Sequence, residues 1–204
     1  QALVAESVRA ASQADYVALR QQAIALCQQA TQLQPDFTEA YRRWAVCLLD
    51  FAAGSRDPVK RRAYVRSALE QGAAADQCAS AEWDQIRSWA ALLISQADTL
   101  AADGADRPVI FEAACKSYER SLQVVSFASK RPAIELELAD CLYRLASMTT
   151  EPAAQRARYE QAIARFNAAA AKKPELITGS IDNVWGGACL LLGGPTKDVA
   201  VLRQ

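Results

Sequence analysis

Tyr41-Arg42-Arg43-Trp44-Ala45-Val46-Cys47-Leu48 decides the fold, because the pattern returns twice further along the chain. It reappears as Ile86-Arg87-Ser88-Trp89-Ala90-Ala91-Leu92-Leu93, and more faintly as Glu135-Leu136-Glu137-Leu138-Ala139-Asp140-Cys141-Leu142. Each copy sets a large residue, a small Ala and a Leu at offsets 3, 4 and 7 from its first residue. Those offsets share one face of an α-helix. A small residue recurring on that face lets a second helix approach closely, so the repeating unit is a packed helical pair. Self-similarity at this spacing is the mark of a helical-repeat array.

The turns between segments agree. Gly54-Ser55-Arg56-Asp57-Pro58, Gly104-Ala105-Asp106-Arg107-Pro108 and Thr149-Thr150-Glu151-Pro152 each close one helix and open the next. An Asp or Thr ahead of Pro caps orphan N–H groups, and Pro suits the first turn, where its missing N–H is not needed. The second helices share a pattern of their own. Ala23-Ile24, Cys27 and Ala30 precede Pro35, and Ala162-Ile163, Phe166 and Ala169 precede Pro174. Arg61, Val65 and Ala68 form a weaker match, as do Ala114, Tyr118 and Ser121.

This reading predicts helices near 3–13, 15–33, 37–53, 58–73, 80–102, 108–127, 132–148 and 152–172. A last helix near 181–192 stops at Gly193-Gly194-Pro195. No period-2 run predicts a strand. The expected architecture is all-α, a right-handed α-solenoid forming one domain over 1–204. Its antiparallel pairs cover 3–35, 37–73, 80–127 and 132–174, with a capping helix at 181–192. Trp44, Trp89, Tyr118 and Phe166 are expected to fill the space between layers.

Composition bounds the function. The 204 residues are 51% hydrophobic and 23% charged, the balance of a folded globular chain. Lys and Arg number 23 against 23 Asp and Glu, so the basic excess of a nucleic-acid reader is missing. Lys60-Arg61-Arg62, with Arg66, reads as a solvated helix face rather than a phosphate patch. No window approaches the ~18 uninterrupted apolar residues of a transmembrane helix. The sequence opens at Gln1 without Met, so a processed chain is expected and an absent signal says nothing of localisation.

There is no histidine, which removes imidazole bases, His-activated nucleophiles and His metal ligands. No Gly-rich loop precedes a Lys-Ser/Thr, and Gly186-Gly187 and Gly193-Gly194 lack the strand a dinucleotide site requires. Glu135 and Glu137 lie two apart on a helix and face different ways, while Glu112 and Glu119 read as surface positions. The six cysteines, Cys27, Cys47, Cys78, Cys115, Cys141 and Cys189, are spread along the whole chain. No two fall close enough for a Cys-x-x-Cys motif. Cys47 and Cys141 occupy the same repeat slot, so the reading is free thiols in an intracellular reducing compartment, cytosolic or organellar. No catalytic residue, metal or cofactor is expected.

Tyr41, Trp44, Ala45 and Leu48, with Ala162, Phe166, Ala169 and Pro174, resemble the two helices of a tetratricopeptide repeat (TPR). Trp185, Ala188, Cys189 and Leu192 resemble the start of a further first helix acting as a cap. The likeness covers nearly the whole chain, from about Ala5 to Leu192. The copies begin at Tyr41, Ile86 and Glu135, a wider spacing than the roughly 34 residues of a family repeat.

The resemblance implies a concave groove lined by first helices, at Arg42, Arg43, Val46, Leu49 and Asp50, then Arg87, Ala91 and Ile94. Glu137, Asp140, Tyr143 and Arg144 complete that surface. Some family members grip the C-terminal carboxylate of heat-shock chaperones through asparagines. Val46 and Ala91 stand where those would sit, against such a role here.

The expected function is a non-catalytic protein–protein interaction module or scaffold, a structural subunit of a larger assembly. The alternative is a targeting or import adaptor that reads an amphipathic peptide through Val46, Leu49, Ala91 and Ile94. RNA binding is the third reading, opposed by zero net charge.

Overall fold

The computed structural model describes residues 13–100 and 106–192, and within them the chain is all-helical. The elements are α1 (Gln13–Leu33), α2 (Thr38–Gly54), α3 (Pro58–Gln77), α4 (Trp83–Leu100), α5 (Arg107–Val124), α6 (Arg131–Ser147) and α7 (Pro152–Ala170). A 3-10 turn, Pro174–Leu176, leads into α8 (Gly179–Leu191). No strand occurs among the described residues. The helix expected near 3–13 and the stop at Gly193-Gly194-Pro195 lie outside them. No described helix is long and apolar enough to cross a membrane.

The chain forms two compact units, Gln1–Ala81 and Glu82–Gln204. The expected arrangement was one array, and the division falls in the short connection that follows α3. In the first unit α1 packs on α2 and α2 on α3. In the second unit each helix from α4 to α8 packs on the next, and α6 also reaches α8. The most extensive packing is between α2 and α3, α4 and α5, and α6 and α7, the pairs that the repeat marks out.

The repeat stripe is the core. Ala45, Ala90 and Ala139 are all 0% exposed, and Leu48, Leu93 and Leu142 are buried beside them. From the second helices come Ala68, Ala114, Tyr118, Ala162, Phe166 and Ala169, all buried. Trp185 of α8 stacks on Phe166, with ring centroids 6.2 Å apart, which docks the last helix on α7. Gly187 makes room there: a Cβ on it would stand 3.2 Å from the Tyr143 hydroxyl.

Each pair is closed by a tie from the start of its first helix to the end of its second. Ser80 donates to the Asp36 carbonyl and shares a 2.8 Å hydrogen bond with Thr38, while the Ala79 N–H donates to the Asp36 carboxylate. Ser121 donates to the Trp83 carbonyl at 2.7 Å. Arg165 meets Glu135 at 3.0 Å. These ties make the helices of each pair antiparallel.

Besides shifts of up to three residues at other ends, such as α4 starting at Trp83 and α5 ending at Val124, the end of α3 and the cap of α7 differ from the sequence reading. α3 runs on to Gln77 rather than ending at 73, because Asp76 is buried and paired with Arg42, a contact that carries the helix past Gly72. The cap of α7 is Glu151, not a threonine. Its carboxylate accepts the Ala153 N–H at 3.0 Å and the Ala154 N–H at 2.5 Å, while Thr149 donates back to the Leu145 carbonyl. Asp57 caps α3 in the expected way, accepting from Val59 and Lys60. Asp106 makes no side-chain cap bond.

Trp44 departs from the interlayer role assigned to it, since it is half-buried where Trp89 is 4% exposed. Trp89→Ala is therefore expected to cost about 3–5 kcal/mol in chemical denaturation, and Trp44→Ala about half as much. Equal losses would contradict this packing.

The two backbone N–H groups hold the Glu151 carboxyl below its usual range. A depressed folded pKa stabilises the protein above the unfolded value and loses that contribution as pH falls through the folded one. The melting temperature of the wild type should thus exceed that of Glu151→Gln near neutrality, the gap closing below the ordinary glutamate range. A gap independent of pH would rule out the charged cap.

Candidate functional site

The groove positions named from the sequence fall into two groups, one in each unit. In the first unit, α1 and α2 line a half-open recess of about 220 Å³ with Arg20, Glu39, Arg42, Arg43, Val46 and Cys47. That volume lies below the ~300–1,000 Å³ typical of small-molecule sites. It admits a side chain rather than a cofactor.

The arginines around the recess are engaged inside the unit. Arg42 turns inward: its side chain is 11% exposed and its guanidinium pairs with Asp76, itself 5% exposed. A further contact runs from Arg42 to the Gly72 carbonyl at 3.5 Å. Burial lowers the pKa of Arg42, against the pull of Asp76. Arg43 bonds Glu39 one turn back at 2.5 Å, on the exposed side of α2.

Asp50 accepts an ion pair from Arg20 of α1 at 2.8 Å, and burial raises the pKa of its carboxyl in spite of that partner. The same Arg20 guanidinium donates to the Cys47 sulfur at 3.6 Å and lies over the Tyr16 ring. Burial works against the Arg20 charge, but the Cys47 contact and Asp50 outweigh it and raise its pKa. Of the apolar groove positions, Val46 lines the recess, whereas Leu49 is 1% exposed and belongs to the core.

In the second unit, Arg87 of α4 grips Glu137 of α6 through two nitrogens, the Nε contact at 2.7 Å. The hydrogen bond to Glu137 is the main reason that the Arg87 pKa rises. Tyr118 is buried beneath this pair, and burial together with the Glu137 charge pushes its hydroxyl well above the usual tyrosine range. Asp140 and Arg144 pair along α6 at 2.9 Å. Tyr143 packs against Tyr159, with ring centroids 5.6 Å apart. Ala91 is exposed and Ile94 half-buried. Glu135, two residues before Glu137, reaches α7 instead, so these carboxylates serve different neighbours.

The arrangement is therefore one of neutralised pairs. Sequence reasoning placed Arg42, Arg43, Asp50, Arg87 and Glu137 on a groove but missed the partners Arg20, Asp76 and Glu39. No spacing rule links Arg42 to Asp76 across a turn, and only the packed pair reveals it. Among the described residues, no group of three or more His, Cys, Asp or Glu side chains is placed to hold a metal ion. No family model, curated protein or solved structure matches this chain.

Arg42→Ala should destabilise the protein several-fold more than Arg43→Ala in urea denaturation, because it removes the buried cation that pairs with Asp76. Arg42→Met with Asp76→Leu should recover most of that loss. Arg43→Ala, which breaks an exposed pair, should cost under ~0.5 kcal/mol. A mild effect of Arg42→Ala would show that the charge is solvated.

Proposed function

We propose that the chain is a TPR-like, non-catalytic interaction module that serves as a fixed structural subunit of a larger protein assembly, in a reducing compartment. The observation that carries this reading is where charge and apolar surface lie. The charged side chains expected to face a groove are taken up in pairs within each unit, which leaves little free charge there to read a ligand. Large apolar side chains are exposed elsewhere. In the first unit Leu33 is 88% exposed, Leu26 53% and Phe37 40%. In the second unit Val109, Phe127, Leu190 and Leu191 are exposed. Leu26 and Leu33 lie seven residues apart on one face of α1, and such a face is suited to cover by a neighbouring subunit. Six free thiols accord with a reducing surrounding.

The recess beside Val46 favours a second reading, a peptide adaptor that takes one apolar side chain between α1 and α2. In that case Val46→Asp would abolish peptide binding and leave native size unchanged.

Native size in gently prepared lysate separates the two. The structural reading expects co-migration with a large complex, lost on Leu26→Glu with Leu33→Glu while helical circular dichroism is retained. Migration as a monomer would overturn it.

A further inference from the structure

Cys47 and Cys141 occupy the same slot of the repeat, but their surroundings differ. Cys47 meets the Arg20 guanidinium, whereas Cys141 of α6 meets a second thiol, Cys115 of α5. The two sulfurs lie 3.1 Å apart, Cys115 donating to Cys141, and the Cys141 thiol donates in turn to the Phe111 carbonyl at 3.4 Å. Both are buried, Cys141 at 0% exposure and Cys115 at 5%. A disulfide needs a sulfur separation of about 2.05 Å, so closure requires an approach of about 1 Å between side chains. The two helices that carry them are already in contact.

We propose that Cys115 and Cys141 are a modification site, a dithiol that a hydroperoxide oxidises to a disulfide stapling α5 to α6. Chemistry and access agree on the order of steps. The Cys141 thiol keeps its proton in the hydrogen bond to the Phe111 carbonyl, and Cys115 is the more exposed of the two, which leaves Cys115 as the attacking sulfur. The Cys115 thiolate attacks one peroxide oxygen, the O–O bond breaks, and Cys115 becomes a sulfenic acid as hydroxide departs. Cys141 then displaces that oxygen: the S–S bond forms, the S–O bond breaks and water leaves. In sum, two thiols give up two electrons and two protons, and hydrogen peroxide is reduced to two waters. A small oxidant suits the site, because a bulky disulfide has no room beside sulfurs this deeply buried.

The staple would close the chain between Cys115 and Cys141, which stabilises a fold mainly by constraining its unfolded state. Two further buried thiols are engaged differently, Cys47 with the Arg20 guanidinium and Cys78 with the Ala74 carbonyl. Oxidation should therefore favour the Cys115–Cys141 pair over these.

The test uses the reduced, full chain treated with a few equivalents of hydrogen peroxide, then denatured, alkylated and digested. Mass spectrometry should find one cross-linked peptide pair carrying Cys115 and Cys141, lighter by two hydrogen atoms, with Cys47 and Cys78 alkylated. The melting temperature should rise by several degrees and return on reduction. Cys115→Ser and Cys141→Ser should each abolish the shift, and the same treatment in urea should show no preference for this pair. Recovery of both thiols alkylated, terminal oxidation of Cys115 without a cross-link, or pairing with another cysteine would each overturn the proposal.

Discussion

Close packing of helices over a recurring alanine, in each of the two units, is the constraint on which the structure depends. Ala45, Ala90 and Ala139 each sit at full burial on the helix that opens a pair. Interiors are packed to near-crystalline density, so a methylene added at such a point has nowhere to go and costs about 1–3 kcal/mol. Large residues beside the alanines then gain their full contact area. Trp89 and Phe166 are buried because the helices around them are held close, and Trp185 finds a flat ring to stack on for the same reason.

Apolar packing of this kind is tolerant of sliding, and the polar contacts supply what it lacks. The ties at Thr38 and Ser80, Trp83 and Ser121, and Glu135 and Arg165 join corresponding ends of the three pairs with three different chemistries. A slip of one residue would misplace every one of them. The buried Arg42–Asp76 pair acts in the same sense. Desolvation offsets most of its Coulombic gain, so its contribution lies in fixing one alignment of α2 on α3 rather than in net stability.

The sequence makes local signals legible and leaves tertiary ones hidden. Periodicity, Pro-bearing turns and the Asp57 cap place the described helix starts within a few residues, since each is a property of a short window. The end of α3 is not such a property. Gly72 signals a stop, yet Ala73, Ala74 and Ala75 favour continuation, and the ion pair of Asp76 with a residue 34 positions earlier decides the matter. The same limit applies at Leu49, which lies in the core, and at Arg42, whose guanidinium turns to Asp76. A helix wheel gives the face on which a residue lies but not how far the neighbouring helix wraps around it. Trp44 shows the converse, where a repeat position buried in one copy is half open in another.

The distribution of charge bears on function more strongly than its total. A chain with equal numbers of acids and bases could still present a basic groove, if the acids lay elsewhere. Here the charged residues of the expected groove pair within one turn or with another helix of the same unit. Long-range steering of a charged ligand needs an unbalanced potential, and paired surfaces supply little. Among the described residues, exposed apolar side chains include Leu33 and Leu26 along α1 and Leu190 and Leu191 at the end of α8. Burial of such side chains would favour association through apolar contact, the basis of the structural-subunit proposal, over steering of a charged tail.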